Sequence, residues 1–95
     1  MDILKWIQNW YKKNCDGYWE HMYGIKIYNV DNPGWAVKID LQETALEEKF
    51  FPKIENDYGE ENWLICFVKD GVFNGSGDSD KLEEILSVFK KWVES

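Results

Sequence analysis

The hydrophobic period of this chain changes twice. At both ends the apolar residues recur every three to four positions, and between the ends they alternate. A stretch patterned at 3.6 residues cannot bury its apolar side as a strand, and one patterned at two cannot do so as a helix. The spacing therefore predicts helix, strands, helix. From Asp2 to Asn14, Ile3, Leu4, Ile7, Trp10 and Tyr11 share one helical face, and Asp2 stands where an N-cap belongs. From Asp80 to Glu94, Leu82, Ile85, Leu86, Phe89, Trp92 and Val93 form a second stripe. Asp80 and Glu83 there make an acidic variant of the capping box. Glu83 and Glu84 lie near the positive end of the helix dipole, and Lys90 and Lys91 near its negative end.

In the middle, Ile25, Ile27 and Asn29 alternate with Lys26, Tyr28 and Val30, and Trp35, Val37, Ile39 and Leu41 alternate with Ala36, Lys38 and Asp40. Asn32-Pro33-Gly34 between them predicts a type II turn, with Pro33 setting φ and Gly34 supplying φ > 0. A weaker strand over Lys53 to Tyr58 suits a sheet edge, because Pro52 lacks a donor and the stretch is polar. Trp63 to Val68 places Trp63, Ile65 and Phe67 on one face and Leu64, Cys66 and Val68 on the other. Asp70-Gly71 has the chemistry of a two-residue turn into a short strand, Val72-Phe73-Asn74, and Gly75 to Asp78 reads as the loop into the last helix. The expected fold is a two-layer α+β domain, residues 1–95. Its antiparallel sheet of about five strands runs as a meander and is covered on one face by the N- and C-terminal helices. Trp35, Val37, Ile39, Ile65 and Phe67 are expected to face Ile7, Trp10, Ile85, Phe89 and Trp92.

Ninety-five residues allow one domain, and 16 aromatics within a 44% apolar composition can build its core without a metal or disulfide. No run of about 18 apolar residues exists, so no membrane-spanning helix is expected. The N-terminus lacks a basic segment and a small-residue cleavage site, which argues against a signal peptide and for a cytoplasmic protein. Cys15 and Cys66 stand 51 positions apart, which fits neither a CxxC metal pair nor a dense disulfide framework, so both are expected as thiols. His21 is the one histidine, and no metal or cofactor is expected. The net charge is −7, with 18 acids, 11 lysines and no arginine. That balance opposes binding to nucleic acid or to an anionic membrane and favours a cationic partner.

Cys15-Asp16-Gly17-Tyr18-Trp19-Glu20-His21 gathers a thiol, an imidazole and two carboxylates. A thiol-dependent enzyme would need Cys15 activated by His21 and oriented by an acid such as Asp16. No oxyanion nest is evident nearby, and packing explains the same residues: Cys15 buried, Gly17 turning the chain, Trp19 under the loop. Gly75-Ser76-Gly77 before a helix could cradle a phosphate, but Asp78, Asp80, Glu83 and Glu84 oppose an anion there. Charge placement says more. From Asp40 to Glu61, the acids Asp40, Glu43, Glu47, Glu48, Glu55, Asp57, Glu60 and Glu61 stand against Lys49 and Lys53, a sum of −6. Acids on a solvated loop and an edge strand also keep a protein soluble. Tyr58 and Trp63, however, flank the carboxylates from Asp57 to Glu61, the mixture expected where a basic partner docks. These ten residues are the expected partner-binding set.

The order of several motifs resembles a known family. Trp6 and Trp10, Cys15-Asp16-Gly17 with Trp19-Glu20-His21, Gly24-Ile25-Lys26-Ile27, Asp31-Asn32-Pro33-Gly34-Trp35 and Ile39-Asp40-Leu41 are followed by Thr44 and Leu46. Trp63 with Cys66, Phe73-Asn74-Gly75-Ser76-Gly77 and Leu82-Glu83-Glu84-Ile85-Leu86 before Trp92 complete the pattern. Over essentially its full length the chain is similar to the immunity protein 53 family of bacterial polymorphic toxin systems. The resemblance implies an α+β protein, encoded beside a toxin gene, that protects its producer by binding the cognate toxin without catalysis. It implies that Asp16, Trp19, Glu20 and His21 belong to the family pattern, as scaffold or as site. The alternatives are the small thiol enzyme using Cys15 and His21, and a regulatory module for another cationic protein.

Overall fold

The computed structural model describes residues 2–95. Helix α1, Ile3–Asn14, begins where the Asp2 side chain accepts from the backbone N–H groups of Leu4 and Lys5 at 3.0 and 3.2 Å, so the expected cap is in place. A short helix α2, Trp19–Met22, follows. Five strands come next: β1, Ile25–Val30; β2, Gly34–Asp40; β3, Ile54–Asp57; β4, Trp63–Lys69; and β5, Val72–Asp78. Helix α3, Leu82–Val93, closes the chain. The sheet is antiparallel throughout, and α1 and α3 cover one of its faces.

The strand order is β1-β2-β5-β4-β3. The expected meander is thus refined into two up-and-down units, β1-β2 and β3-β4-β5, joined so that β5 lies beside β2. Burial decides this arrangement. Phe73, Gly75 and Gly77 of β5 are buried, which suits the sheet centre, whereas Glu55, Asn56 and Asp57 of β3 are exposed and suit the edge.

Strand β5 is longer than the sequence suggested: Gly75 to Asp78 are strand, not loop. Gly75 and Gly77 both face α3. A Cβ on Gly75 would overlap Ile85 Cγ2, and one on Gly77 would lie 2.6 Å from Lys81 Cβ. The glycines let the helix sit directly on the sheet, and their N–H groups belong to the ladder rather than to a phosphate cradle.

The β1–β2 turn also differs from expectation. The Asn32–Pro33 bond is cis, and Gly34 has no positive φ; it begins β2, where a Cβ would meet the Gly77 carbonyl. The Asp70-Gly71 turn is as expected, with φ of 54° and 75°. Helix α3 starts two residues later than Asp80, and Lys81 at its N-cap position makes no side-chain cap. Asp78 takes over the organising role there, as described below.

The core contains Val37, Ile39, Leu64, Cys66 and Phe73 from the sheet, facing Ile3, Ile7 and Trp10 of α1 and Ile85, Leu86, Phe89 and Trp92 of α3. Trp10 meets Phe89 edge-on at 5.1 Å between ring centres. Ile65 and Phe67 do not face the helices, contrary to expectation. Both sides of β4 are apolar, so alternation alone could not choose between them. The register Leu64↔Gly77 and Cys66↔Gly75 does choose, placing the even-numbered residues under α3.

Candidate functional site

On β3, alternation turns Glu55 and Asp57 away from the helices, and pairing sets them beside Ile65 and Trp63 of β4. The chain then turns tightly. Tyr58 N–H donates to the Asn62 carbonyl at 2.9 Å, and Gly59, at φ 134°, donates to the Asp57 carboxylate at 3.2 Å. This turn lifts Tyr58 to 73% exposure and exposes Glu60 and Glu61. The half-buried Trp63 is held where its backbone N–H donates to the Asp78 carboxylate at 2.9 Å. Asp57, Glu60 and Trp63, with Asn32, Gly59 and Ile65, line a hollow of about 560 Å³, and Tyr58 lines a neighbouring one with Asn56, Asn62 and Lys81. Carboxylates at the rim and an indole in the wall can receive a lysine or arginine side chain. Lys53 pairs with Glu55 at 3.4 Å, but both are 60% exposed, and such a pair holds them only weakly.

Of the ten expected partner-binding residues, six meet at this end: Glu55, Asp57, Tyr58, Glu60, Glu61 and Trp63. The other four lie at the opposite end of the sheet, about 20 Å away along the seven-residue strands. There the Asp40 carboxylate accepts from Gly24 N–H at 2.9 Å. Glu43, at φ 61°, accepts from the Tyr23 hydroxyl at 3.0 Å, and this bond holds the phenol above its usual range. Glu47 and Glu48 are exposed on the connection between β2 and β3.

The Asp16 to His21 cluster divides by burial. Asp16 accepts from the N–H groups of Trp19 and Tyr18 at 2.9 and 3.0 Å, and those bonds hold its carboxyl below the usual range. Glu20 accepts from Gly17 and Asp16 N–H at 2.8 and 2.9 Å. Trp19 is 2% exposed, with its indole N–H on the Gln42 carbonyl at 2.9 Å. Asp16, Trp19 and Glu20 thus close the loop after α1 onto the core, while His21 is exposed. The Cys15 thiol donates to the Tyr11 carbonyl at 3.3 Å, and no hydrogen bond joins it to His21 among the described residues. Cys66 is buried in the core, where burial pushes its thiol up to about 12.

Three lysines come together with no sequence motif to mark them. Lys26 and Lys38 are partners across β1 and β2, on the face away from the helices, and Lys69 shares a hollow of about 480 Å³ with them. The sequence carried no signal for this pairing, because the type II turn expected at Pro33-Gly34 would set position 26 opposite 41, whereas the observed register sets it opposite 38. Among the described residues no group of three or more His, Cys, Asp or Glu side chains could hold a metal ion, and no helix is long and apolar enough to cross a membrane.

The family model for immunity protein 53 matches residues 4–94, nearly the whole chain. No curated protein and no solved structure matches it.

Proposed function

The chain belongs to the immunity protein 53 family, and from that premise we propose that it binds one cognate bacterial toxin domain stoichiometrically, blocking the toxin's active site or a movement it needs. The observation that carries the reading to particular residues is the grouping of Asp57 and Glu60 with Trp63 around one hollow at a corner of the sheet, with Glu55 beside Ile65 on the same face and Tyr58 in the adjoining hollow. A net charge of −7 steers a basic partner toward such a corner, and the aromatic side chains anchor it on arrival. A nuclease of a polymorphic toxin system fits, because enzymes that grip a phosphate backbone carry basic surfaces. In this reading the protein works in the cytoplasm, with Cys15 and Cys66 as thiols.

No observation favours the thiol enzyme, since Cys15 is bonded to a backbone carbonyl rather than to His21. The regulatory-module reading differs only in the partner. Co-expression with the neighbouring toxin gene, followed by co-purification and a growth-protection assay, tests the proposal. Protection with a one-to-one complex supports it, and survival without this protein or failure to associate overturns it. Changing Glu55, Asp57, Glu60 and Glu61 to Lys should slow association at least tenfold at low salt and flatten its salt dependence. Unchanged rates would move the site elsewhere.

A further inference from the structure

The sheet face turned away from α1 and α3 carries two hollows of unlike charge. One is the acidic corner already described. The other, at the far end of the same face, is ringed by Lys26, Lys38 and Lys69 over a floor of Phe67, Val72 and Asn74. Between them Tyr28, Ala36 and Ile65 line up across β1, β2 and β4, with Ser76 of β5 in the row; Tyr28 is exposed, Ile65 and Ser76 are half-buried, and Ala36 is buried among its neighbours.

We infer that this whole open face is the toxin-docking surface, and that its lysine hollow receives a carboxylate of the toxin while the acidic corner receives a lysine or arginine. The inference rests on the toxin-binding reading and adds the partner's chemistry: a segment with opposite charges about 20 Å apart and an apolar middle.

Three observations support it. Lys26 and Lys38 stand directly opposite each other on one face, an arrangement that costs stability because like charges repel. None of the three lysines has a carboxylate within ion-pairing distance among the described residues. Asp40 and Asp70 also line the hollow, but Asp40 is engaged by Gly24 N–H, and three ammonium groups outnumber the two acids. An anion arriving from outside relieves the repulsion. A second copy turned end for end would also match the charges, and sedimentation of the wild type and the triple Glu variant distinguishes it from the toxin.

The test uses the full chain and the toxin domain encoded beside it. The triple variant Lys26→Glu, Lys38→Glu, Lys69→Glu should raise the dissociation constant at least tenfold, and the corresponding triple Gln variant should raise it less. Lys38→Glu alone should weaken binding while keeping or raising the melting temperature, because it turns a repulsive cross-strand pair into an attractive one. This readout separates recognition from misfolding. A compensating Glu→Lys or Asp→Lys change on the toxin should restore affinity to the triple Glu variant. If the complex forms and the triple Glu variant binds within twofold of the wild type, the inference is wrong and the immunity reading stands. If the wild-type chain neither binds nor protects, the immunity reading itself has failed. A wild-type dimer in sedimentation that the triple Glu variant dissociates would assign the face to a second copy and overturn the inference.

Discussion

The Asp78 carboxylate receives the Lys81 ammonium at 2.6 Å and, on the same oxygen, the Trp63 N–H at 2.9 Å. Its other oxygen receives Asp80 N–H at 2.9 Å. One side chain, 2% exposed, therefore ties the end of β5 to the start of β4 and to the first turn of α3. Lys81 also reaches Asn62 at 2.9 Å, so the same knot braces the turn that presents Tyr58 and Glu60. The acidic corner is positioned by a buried charge pair rather than by its own exposed acids.

Acid titration should expose that knot. The Lys81 bond, with those from the Asp80 and Trp63 N–H groups, brings the Asp78 carboxyl down to about 2, against about 3.9 in an unfolded chain. A folded-state pKa below the unfolded one contributes stability that is complete above about pH 5 and is lost as pH falls toward 2. Lys81 is held above its usual range by the same bond, so its contribution is present below about pH 10 and is lost as pH rises through its folded value. Urea unfolding from pH 2 to pH 7 should show Asp78→Asn destabilised at neutral pH, with the difference from wild type shrinking below pH 4. A difference that stayed constant across the range would separate Asp78 from the effect.

Gly75→Ala should destabilise the fold by about 1–3 kcal/mol, because the added methyl overlaps Ile85 Cγ2 and lies 3.2 Å from the Phe73 ring. Removing Ile85 Cγ2 makes room for it. In a double-mutant cycle with Ile85→Ala, the combined loss in denaturant midpoint should be smaller than the sum of the single losses. Additive losses would mean that the helix does not ride directly on the glycine.

What the sequence disclosed depended on whether a single element carried the signal. The Asp2 cap and the Ile85-Phe89-Trp92 stripe are local, and they lie in the structure as expected. Gly75 and Gly77 were opaque, because a glycine erases the alternation that marks a strand. Their role depends on Ile85 and Lys81, ten and four residues further on. The two faces of β4 could not be ranked without β5 beside it. At the candidate site the acids were legible as a run, but not their division. The run crosses from the end of β2 to the far edge of the sheet, and only the strand order separates Asp40 and Glu43 from Glu55 and Asp57.

Within the Asp16 to His21 cluster, burial assigns different consequences to neighbouring residues. Trp19→Ala removes an indole packed edge-on to Trp10 at 6.0 Å and leaves the Gln42 carbonyl without its donor. The expected cost is about 3–5 kcal/mol, a large share of the stability of a small domain. His21→Ala, on an exposed side chain, should change stability by less than about 0.5 kcal/mol. If His21→Ala abolishes protection of the host while the fold is intact, the cluster is part of the toxin site as well as scaffold.

The two thiols should differ in reactivity. Cys66 is fully buried with its pKa pushed up to about 12, so almost no thiolate exists at neutral pH. Cys15 is half-buried at the end of α1. A thiol reagent should modify one cysteine in the native protein and two after unfolding, with Cys15→Ser removing the native reaction. Rapid native modification of Cys66 would contradict the packing of β4 against α3.

Tyr58 offers the clearest separation of binding from folding. It stands beside the carboxylates of the acidic corner, yet with 73% of its surface in water it contributes little to the core. Tyr58→Ala should therefore leave the melting temperature near that of the wild type, within about 0.5 kcal/mol of stability. An aromatic anchor at a docking site typically costs about 2 kcal/mol or more when truncated, roughly a thirtyfold loss of affinity, most of it as faster dissociation. Trp63 cannot be tested as cleanly, because it is half-buried against the sheet and its backbone belongs to the Asp78 knot. Stopped-flow association and dissociation of the Tyr58→Ala variant with the toxin domain decide the matter. A complex that dissociates as slowly as wild type would remove Tyr58 from the interface and place the contact further along the open face.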